Sequence, residues 1–164
     1  MNQYEMPFEQ LLRKLPAARR LCDVPAATDV SCVVAIAGFE PRCVAATEQM
    51  AARHWNAKAA VCVTYSDASI QLPNDKYKSA LVNHLKRIAK GGTPAILTHD
   101  DHALKADFGV ALGGELESLG IDVNDPETHV VVDITVCSSR LLLEGLHALF
   151  QGRARITLVY SEAS

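Results

Sequence analysis

Two segments of the chain place an arginine and small polar residues directly after an apolar run. Residues 30–37 are apolar apart from one serine, and Gly-Phe-Glu-Pro-Arg follows at residues 38–42. Residues 130–136 form a second run, and Cys-Ser-Ser-Arg follows at residues 137–140. The planar arginine fork suits phosphate or carboxylate, and backbone N–H groups at the start of a helix favour anions. These residue types predict anion binding at two strand ends.

The first turn, GFEPRC at residues 38–43, supports two interpretations. In one, Arg42 holds a phosphate or carboxylate in two hydrogen bonds, and Glu40 pairs with an arginine or a ribose hydroxyl. In the other, Gly38 turns the chain, Pro41 begins a helix at its first position and Arg42 is solvated. The residues alone leave both open.

The second turn, DITVCSSR at residues 133–140, contains an acid and several hydroxyl groups. Asp133 lies in an otherwise apolar strand and requires a partner if it is buried. Thr135, Ser138 and Ser139 surround a loop that would favour an anion. Ser138 or Ser139 is also a natural N-cap for a helix at residue 141, so a purely structural role stays open. Cys137 lacks the CX5R spacing of a phosphatase loop and is not interpreted as a nucleophile.

Strand-like and helix-like segments alternate along the chain and position these turns. The patterns predict strands at 30–37, 59–65, 94–98, 130–136 and 156–160, and helices at 44–55, 74–90, 112–119 and 141–150. Continuous apolar strands between helices are typical of a parallel sheet covered on both faces. We therefore predict one Rossmann-like, doubly wound α/β domain over residues 1–164. It has an N-terminal helix and linker in 1–28 and a five-stranded core in 29–164.

The place of a ligand depends on the strand order. Ligands of open α/β sheets bind beyond the carboxyl ends of the strands, where the order reverses. The order 3-2-1-4-5 makes strands 1 and 4 neighbours, so both turns face one crevice, whereas 2-1-3-4-5 puts strand 3 beside strand 1. The residues alone leave the order open, and our predicted site follows from the first order. The predicted ligand-binding residues lie at these strand ends: Gly38, Phe39, Glu40, Arg42, Ser66, Asp67, Asp133, Thr135, Ser138, Ser139 and Arg140.

Composition and missing motifs exclude several classes. A formal net charge of -3 argues against binding a nucleic acid polymer. We expect no membrane span and no signal peptide. Five scattered cysteines without a CxxC pair indicate free thiols in a cytoplasmic protein. The nucleotide motifs GxGxxG and GxxxxGK[ST] and the hydrolase motif GxSxG are absent. Adjacent residues of an extended segment point to opposite sides, so we predict no metal at residues 99–102. We also predict no cofactor.

The segment VVVDITVCSSRLLLEGLHAL, residues 130–149, resembles the strand-4 region of CARF domains, the Rossmann-like sensors of cyclic oligonucleotides in prokaryotic CRISPR defence. Asp133 and Thr135 match the family pattern. The Gly-Gly-Thr-Lys-like turn is replaced by residues 136–140, where the glycines are missing and Arg140 stands in place of a lysine. The resemblance implies a ligand sensor in antiviral defence. It also implies a homodimer with the ligand across the two-fold axis, and an effector that is not visible in this chain.

Three hypotheses of function follow, in order of preference. The first is a module that binds a nucleotide, a cyclic oligonucleotide or another phosphorylated ligand between strands 1 and 4. The second is an assembly subunit that docks a partner protein and has no ligand of its own. The third is a nucleotide hydrolase or transferase with Glu40, Asp67, Asp133 or His99 as acid or base. No convincing catalytic motif is present, and we assign no catalytic residue.

Overall fold

The computed structural model describes residues 19–27, 29–66, 71–100 and 108–162. Five strands lie within these residues: β1 (Val30–Ile36), β2 (Ala57–Tyr65), β3 (Ala95–His99), β4 (His129–Asp133) and β5 (Arg155–Val159). Four α-helices accompany them: α1 (Ala45–Ala52), α2 (Gln71–Ile88), α3 (Phe108–Ser118) and α4 (Ser139–Phe150). Short 3-10 helices occupy Leu21–Asp23 and Pro41–Val44.

The strands form one parallel sheet in the order β3-β2-β1-β4-β5. This confirms the predicted Rossmann-like class and places β1 between β2 and β4. Every residue of β1 is buried, because helices cover both faces of the central strands and neither face can be polar. The register pairs Ala35 with Asp133, so β1 and β4 end at the same edge of the sheet.

Each face of the sheet has its own helix pair. One core cluster includes residues of α1, α2 and the first sheet face, such as Val33, Met50, Ala60, Leu81, Leu85 and Ile88. The other includes residues of α3, α4 and the opposite face, such as Val34, Val61, Phe108, Leu112, Leu116, Leu141 and Leu149. None of the helices in the described part of the chain is long and apolar enough to cross a membrane.

Glycines allow α3 and α4 to pack closely. A Cβ atom on Gly109 would lie 2.7 Å from the carbonyl oxygen of Glu144, and one on Gly145 would lie 3.3 Å from the ring of Phe108. At these distances a larger residue would push the helices apart. These two glycines therefore fix the start of α3 against the middle of α4.

Some predicted boundaries were wrong. Strand β4 ends at Asp133 rather than at residue 136, because the Asp133 carboxylate accepts a hydrogen bond from the N–H of Thr135 and turns the chain there. Helix α3 begins at Phe108, four residues earlier than predicted. The N-terminal helix and linker predicted for residues 1–28 lie largely outside the described residues, which show the 3-10 turn Leu21–Asp23 in this region.

Candidate functional site

The turns that follow β1 and β4 touch each other. A Cβ atom placed on Gly38 would lie 2.8 Å from Cγ2 of Val136, a distance at which a neighbour must shift. Gly38 is buried, and the turn after β4 packs against it. The two segments that the sequence singled out are therefore in direct contact, with little space between them at this point.

The first turn reaches over the end of β4 to β5. Pro41 begins the 3-10 helix, as one of the two interpretations proposed. Arg42 donates from Nε to Oε2 of Glu40, and from Nη1 to the hydroxyl of Tyr160 at 3.3 Å. Tyr160 directly follows β5, which lies on the far side of β4 from β1. Phe39, Glu40 and Arg42 thus lie at the surface of the carboxyl edge, with Phe39 largely exposed.

Asp133 lies at this edge with only 2% of its surface exposed. Its Oδ1 atom accepts two hydrogen bonds from Thr135, at 3.0 Å from the N–H and at 2.5 Å from the hydroxyl. The Thr135 hydroxyl in turn accepts the N–H of Ser161 at 2.9 Å. The other carboxylate oxygen, Oδ2, is buried without a hydrogen-bond partner among the described residues. This leaves one buried acceptor unsatisfied.

The environment of Asp133 disfavours its charge. Burial raises the pKa of Asp133, and the two hydrogen bonds from Thr135 oppose that effect without cancelling it. Cys43 lies near enough for the Asp133 carboxylate to act on it: burial raises the pKa of the Cys43 thiol, and the carboxylate adds to the rise. The Cys43 thiol donates to the carbonyl oxygen of Gly38 at 3.6 Å. These buried contacts hold the 3-10 helix beside Asp133.

Tyr65 holds the second turn from β2. Its hydroxyl donates to the carbonyl oxygen of Val136 at 3.2 Å and accepts the N–H of Ser138 at 2.9 Å. Ser138 is the N-cap of α4, and its Oγ accepts the N–H of Leu141 at 3.2 Å. The capping role proposed for this serine is confirmed. Ser139 is the exposed first residue of α4.

Arg140 is anchored within the helix layer. Its Nε donates to Oε1 of Glu144 at 2.7 Å, and Oε2 of Glu144 accepts the N–H of Phe108 at 2.9 Å. Burial alone would raise the pKa of Glu144, but these two donors outweigh it and the pKa falls below its usual range. Glu144 therefore connects Arg140 to the start of α3. The two arginines are bound to different carboxylates.

The other predicted residues have separate surroundings. The N–H of Ser66 donates to the carbonyl oxygen of His99 at 2.9 Å, while Asp67 lies outside the described residues. His99 is buried with its ring edge-on to Tyr65 and Phe108, at centroid distances of 6.0 and 5.2 Å. Asp100 is exposed, and residues 101 and 102 are outside the described ranges. Within those ranges, no three His, Cys, Asp or Glu side chains form a group that could hold a metal.

Sequence reasoning did not include Tyr65, Tyr160 and Glu144 among the site residues. Tyr65 and Tyr160 contact turns that are 71 and 118 residues away along the chain. A tyrosine at a strand end gives a weak signal, because its partner is set by the strand order. The pair Arg140 and Glu144, four residues apart on a helix, could have been inferred from its spacing.

The polar groups of the two turns form hydrogen bonds within each turn and with Tyr65, Tyr160 and Ser161. Two features of the described turns bear on ligand binding: the buried Oδ2 of Asp133, which has no donor among the described residues, and the donors of Arg42 beyond the two that bind Glu40 and Tyr160. No family model, no curated protein and no solved structure matches this chain. The chemistry of the site therefore rests on these contacts alone.

Proposed function

We propose that the protein is a binding module for a nucleotide or another phosphorylated ligand at the carboxyl ends of β1 and β4. The observation that carries the proposal is the buried Oδ2 of Asp133, which has no partner among the described residues. Leaving a buried acceptor unpaired costs about 1–3 kcal/mol. A ligand that donates a hydrogen bond to this oxygen recovers that free energy.

The surrounding groups favour a ligand with two kinds of chemistry. Asp133 requires a hydroxyl or amino donor, whereas Arg42, at the surface of the same edge, binds phosphate or carboxylate. A nucleotide carries a phosphate and sugar hydroxyl groups in one molecule. Cyclic oligonucleotides belong to the candidate set because residues 130–149 resemble the corresponding segment of CARF domains.

Binding at Asp133 requires the carboxyl edge of the sheet to open, and we infer that the first turn is the part that moves. Asp133 is almost fully buried, and Arg42 links this turn to Tyr160 through a hydrogen bond of 3.3 Å in an exposed position. A long exposed hydrogen bond contributes little to stability, about 1 kcal/mol or less. We therefore expect the ligand phosphate to replace Tyr160 on Arg42 and the turn to open over Asp133.

The test is a thermal-shift screen with inorganic phosphate, mononucleotides, dinucleotides and cyclic oligonucleotides. A ligand at about 100 times its Kd stabilises the fold by about 2.7 kcal/mol, which raises the Tm by roughly 5–10 °C in a domain of this size. The shift should disappear in Arg42→Ala. The matched control is Arg155→Ala, which also removes an arginine bound to a carboxylate, Asp29, but at the amino end of β5. It should leave the shift unchanged.

Asp133→Asn separates the two parts of the site. It should weaken binding of the nucleotide at least tenfold, because a hydrogen bond to a charged group contributes about 1.5–3 kcal/mol. It should leave any binding of inorganic phosphate at Arg42 intact. Unchanged affinity in Arg42→Ala, Arg140→Ala and Asp133→Asn would overturn the site assignment.

An assembly subunit without its own ligand is the second candidate. It is favoured by the contact between Gly38 and Val136 and by the hydrogen bonds of Tyr65, which fill the space between the two turns. In this case the ligand screen gives no shift with any compound. The buried Asp133 then serves only to end β4.

A further inference from the structure

Two aromatic side chains at the carboxyl edge of the sheet are exposed to solvent. Phe39, in the turn after β1, is 58% exposed, and Tyr160, directly after β5, is 55% exposed. Neither belongs to a core cluster, and neither ring contacts another ring among the described residues. The packing of the described chain therefore does not account for these two rings.

Both residues belong to the segments that Arg42 joins. The hydroxyl of Tyr160 accepts from Nη1 of Arg42 at 3.3 Å. Phe39 lies three residues before Arg42 in the same turn, next to Glu40, which accepts from Nε of Arg42. A single exposed apolar residue is ordinary on a protein surface. Two rings close to one arginine are more informative, because stacking rings and a cation for the phosphate together make a nucleotide site.

The spacing across the edge suits a flat ring between the two side chains. β1, β4 and β5 are consecutive strands of the sheet, and neighbouring strands lie about 4.8 Å apart, so the ends of β1 and β5 are roughly 10 Å apart. A base stacked between two rings needs them roughly 7–8 Å apart, since each carbon contact takes about 3.5–4.0 Å. The hydrogen bond with Arg42 directs Tyr160 toward the first turn, which shortens the gap.

The backbone on both sides of Tyr160 is fixed. Ser161 donates its N–H to the hydroxyl of Thr135 at 2.9 Å, and the carbonyl oxygen of Val159 accepts the N–H of Ile134 at 2.9 Å. The Tyr160 ring thus stays exposed on a segment that is anchored to the turn after β4. An aromatic ring held in this way loses little conformational entropy on binding, because only two side-chain torsions have to be ordered.

We propose that Phe39 and Tyr160 form an aromatic platform on which the base of a nucleotide stacks, so that the ligand is a base-bearing nucleotide rather than a sugar phosphate. This inference rests on the proposed function, since it takes the phosphate of the same ligand to lie on Arg42. Every nucleobase has a π-face, so the platform selects for the presence of a base without choosing among bases. When the phosphate replaces Tyr160 on Arg42, the Tyr160 ring is released to close on the base.

Isothermal titration calorimetry with 5′-AMP and ribose 5-phosphate tests this, because the two probes share the phosphate and the ribose and differ in the base. The unmodified chain should bind 5′-AMP about fivefold or more tightly than ribose 5-phosphate, since stacking of one base on aromatic side chains contributes roughly 5- to 150-fold in affinity. Phe39→Ala should remove most of this preference and leave the affinity for ribose 5-phosphate unchanged.

The matched control is Phe150→Ala. Phe150 is 64% exposed and is the last residue of α4, roughly 17 Å along the helix from the end that lies at the carboxyl edge. Its removal should leave both affinities unchanged. The base protons of 5′-AMP should also shift upfield in NMR spectra on binding, because they lie over an aromatic ring, and this shift should shrink in Phe39→Ala but not in Phe150→Ala.

Two substitutions of Tyr160 separate its ring from its hydroxyl. Tyr160→Phe keeps the ring and removes the hydrogen bond that the phosphate must replace, so both probes should bind about two- to fivefold more tightly and the preference for 5′-AMP should persist. Tyr160→Ala removes the ring as well and should reduce the preference.

Equal affinity of the unmodified chain for the two probes would overturn the aromatic platform and leave the phosphate site at Arg42 in place. A Phe39→Ala protein that keeps the full preference for 5′-AMP would do the same. Binding of neither probe would also overturn the platform, whereas only a thermal-shift screen without any hit would overturn the proposed function with it.

Discussion

Gly38→Ala tests whether the turns after β1 and β4 meet as described. The new Cβ atom would lie 2.8, 3.0 and 3.2 Å from Cγ2, Cβ and Cγ1 of Val136, compared with about 3.5–4.0 Å for an ordinary carbon–carbon contact. Overpacking of this kind costs about 1–3 kcal/mol. Gly38 is not among the glycines with positive φ, so the backbone adds no strain. Since Val136 is only half-buried and can yield, we expect a loss of about 1–2 kcal/mol.

The effect should depend on Val136. Val136→Ala removes the Cγ1 and Cγ2 atoms, two of the three close neighbours, and should recover about 1 kcal/mol of the loss when combined with Gly38→Ala. Urea unfolding followed by the fluorescence of Trp55, the single tryptophan, measures the free energy of unfolding of each protein. The four proteins are the unmodified chain, the two single variants and the double variant. Trp55 is buried, so its emission reports on global unfolding.

Gly114→Ala is the matched control, because its methyl group meets no atom within 4 Å and should stabilise the fold. Two results would refute the reasoning. One is a Gly38→Ala protein as stable as the unmodified chain. The other is strict additivity of Gly38→Ala and Val136→Ala, which would mean that the two turns do not press on each other.

Three further changes probe the same edge of the sheet. Tyr65→Phe removes the hydrogen bonds to Val136 and Ser138 and should lower the free energy of unfolding in urea by about 1–2 kcal/mol. A smaller decrease than that of an exposed Tyr→Phe change would contradict the bridging role of Tyr65. Ser138→Ala removes the cap on Leu141 and should cost about 1 kcal/mol by the same assay, and Ser138→Asn should restore most of it. Burial raises the pKa of Asp133, so the folded state binds the proton of this carboxyl group more tightly than the unfolded chain does. Ionisation of Asp133 therefore lowers the stability of the fold as the pH rises from about 4 through the raised pKa. The stability of Asp133→Asn relative to the unmodified chain should therefore increase across that pH range, and a flat or falling difference would contradict the assignment.

The elements were predictable because each depends on residues close together in sequence. β1 is apolar apart from Ser31 and shows no alternation, since both of its faces are covered, and this pattern indicates a central parallel strand. The spacing of Tyr77, Leu81, Leu85 and Ile88 indicates one apolar face of α2. The last three are fully buried, and Tyr77 is half-buried. The end of β4 was misplaced because Ile134 and Val136 continue the apolar pattern. The bond from Thr135 to the Asp133 carboxylate turns the chain against that pattern.

The candidate site was predictable in position and less so in its contacts. Strand ends with polar residues were visible, and Ser138 as a cap follows from its place before α4. The link from Arg42 to Tyr160 and the link from Tyr65 to Ser138 join segments that are far apart along the chain. No local pattern indicates which strand lies beside which, so these partners could not be derived.

The sequence by itself determined the alternation of strands and helices, the fold class, and the two turns at which a site was expected. Periodicity and turn chemistry are local, and they act wherever the segment lies. Only the tertiary structure decided that β1 and β4 are neighbours, that Gly38 meets Val136, and that one oxygen of the buried Asp133 has no partner among the described residues. The strand order settles these features because it sets which distant side chains share one edge of the sheet.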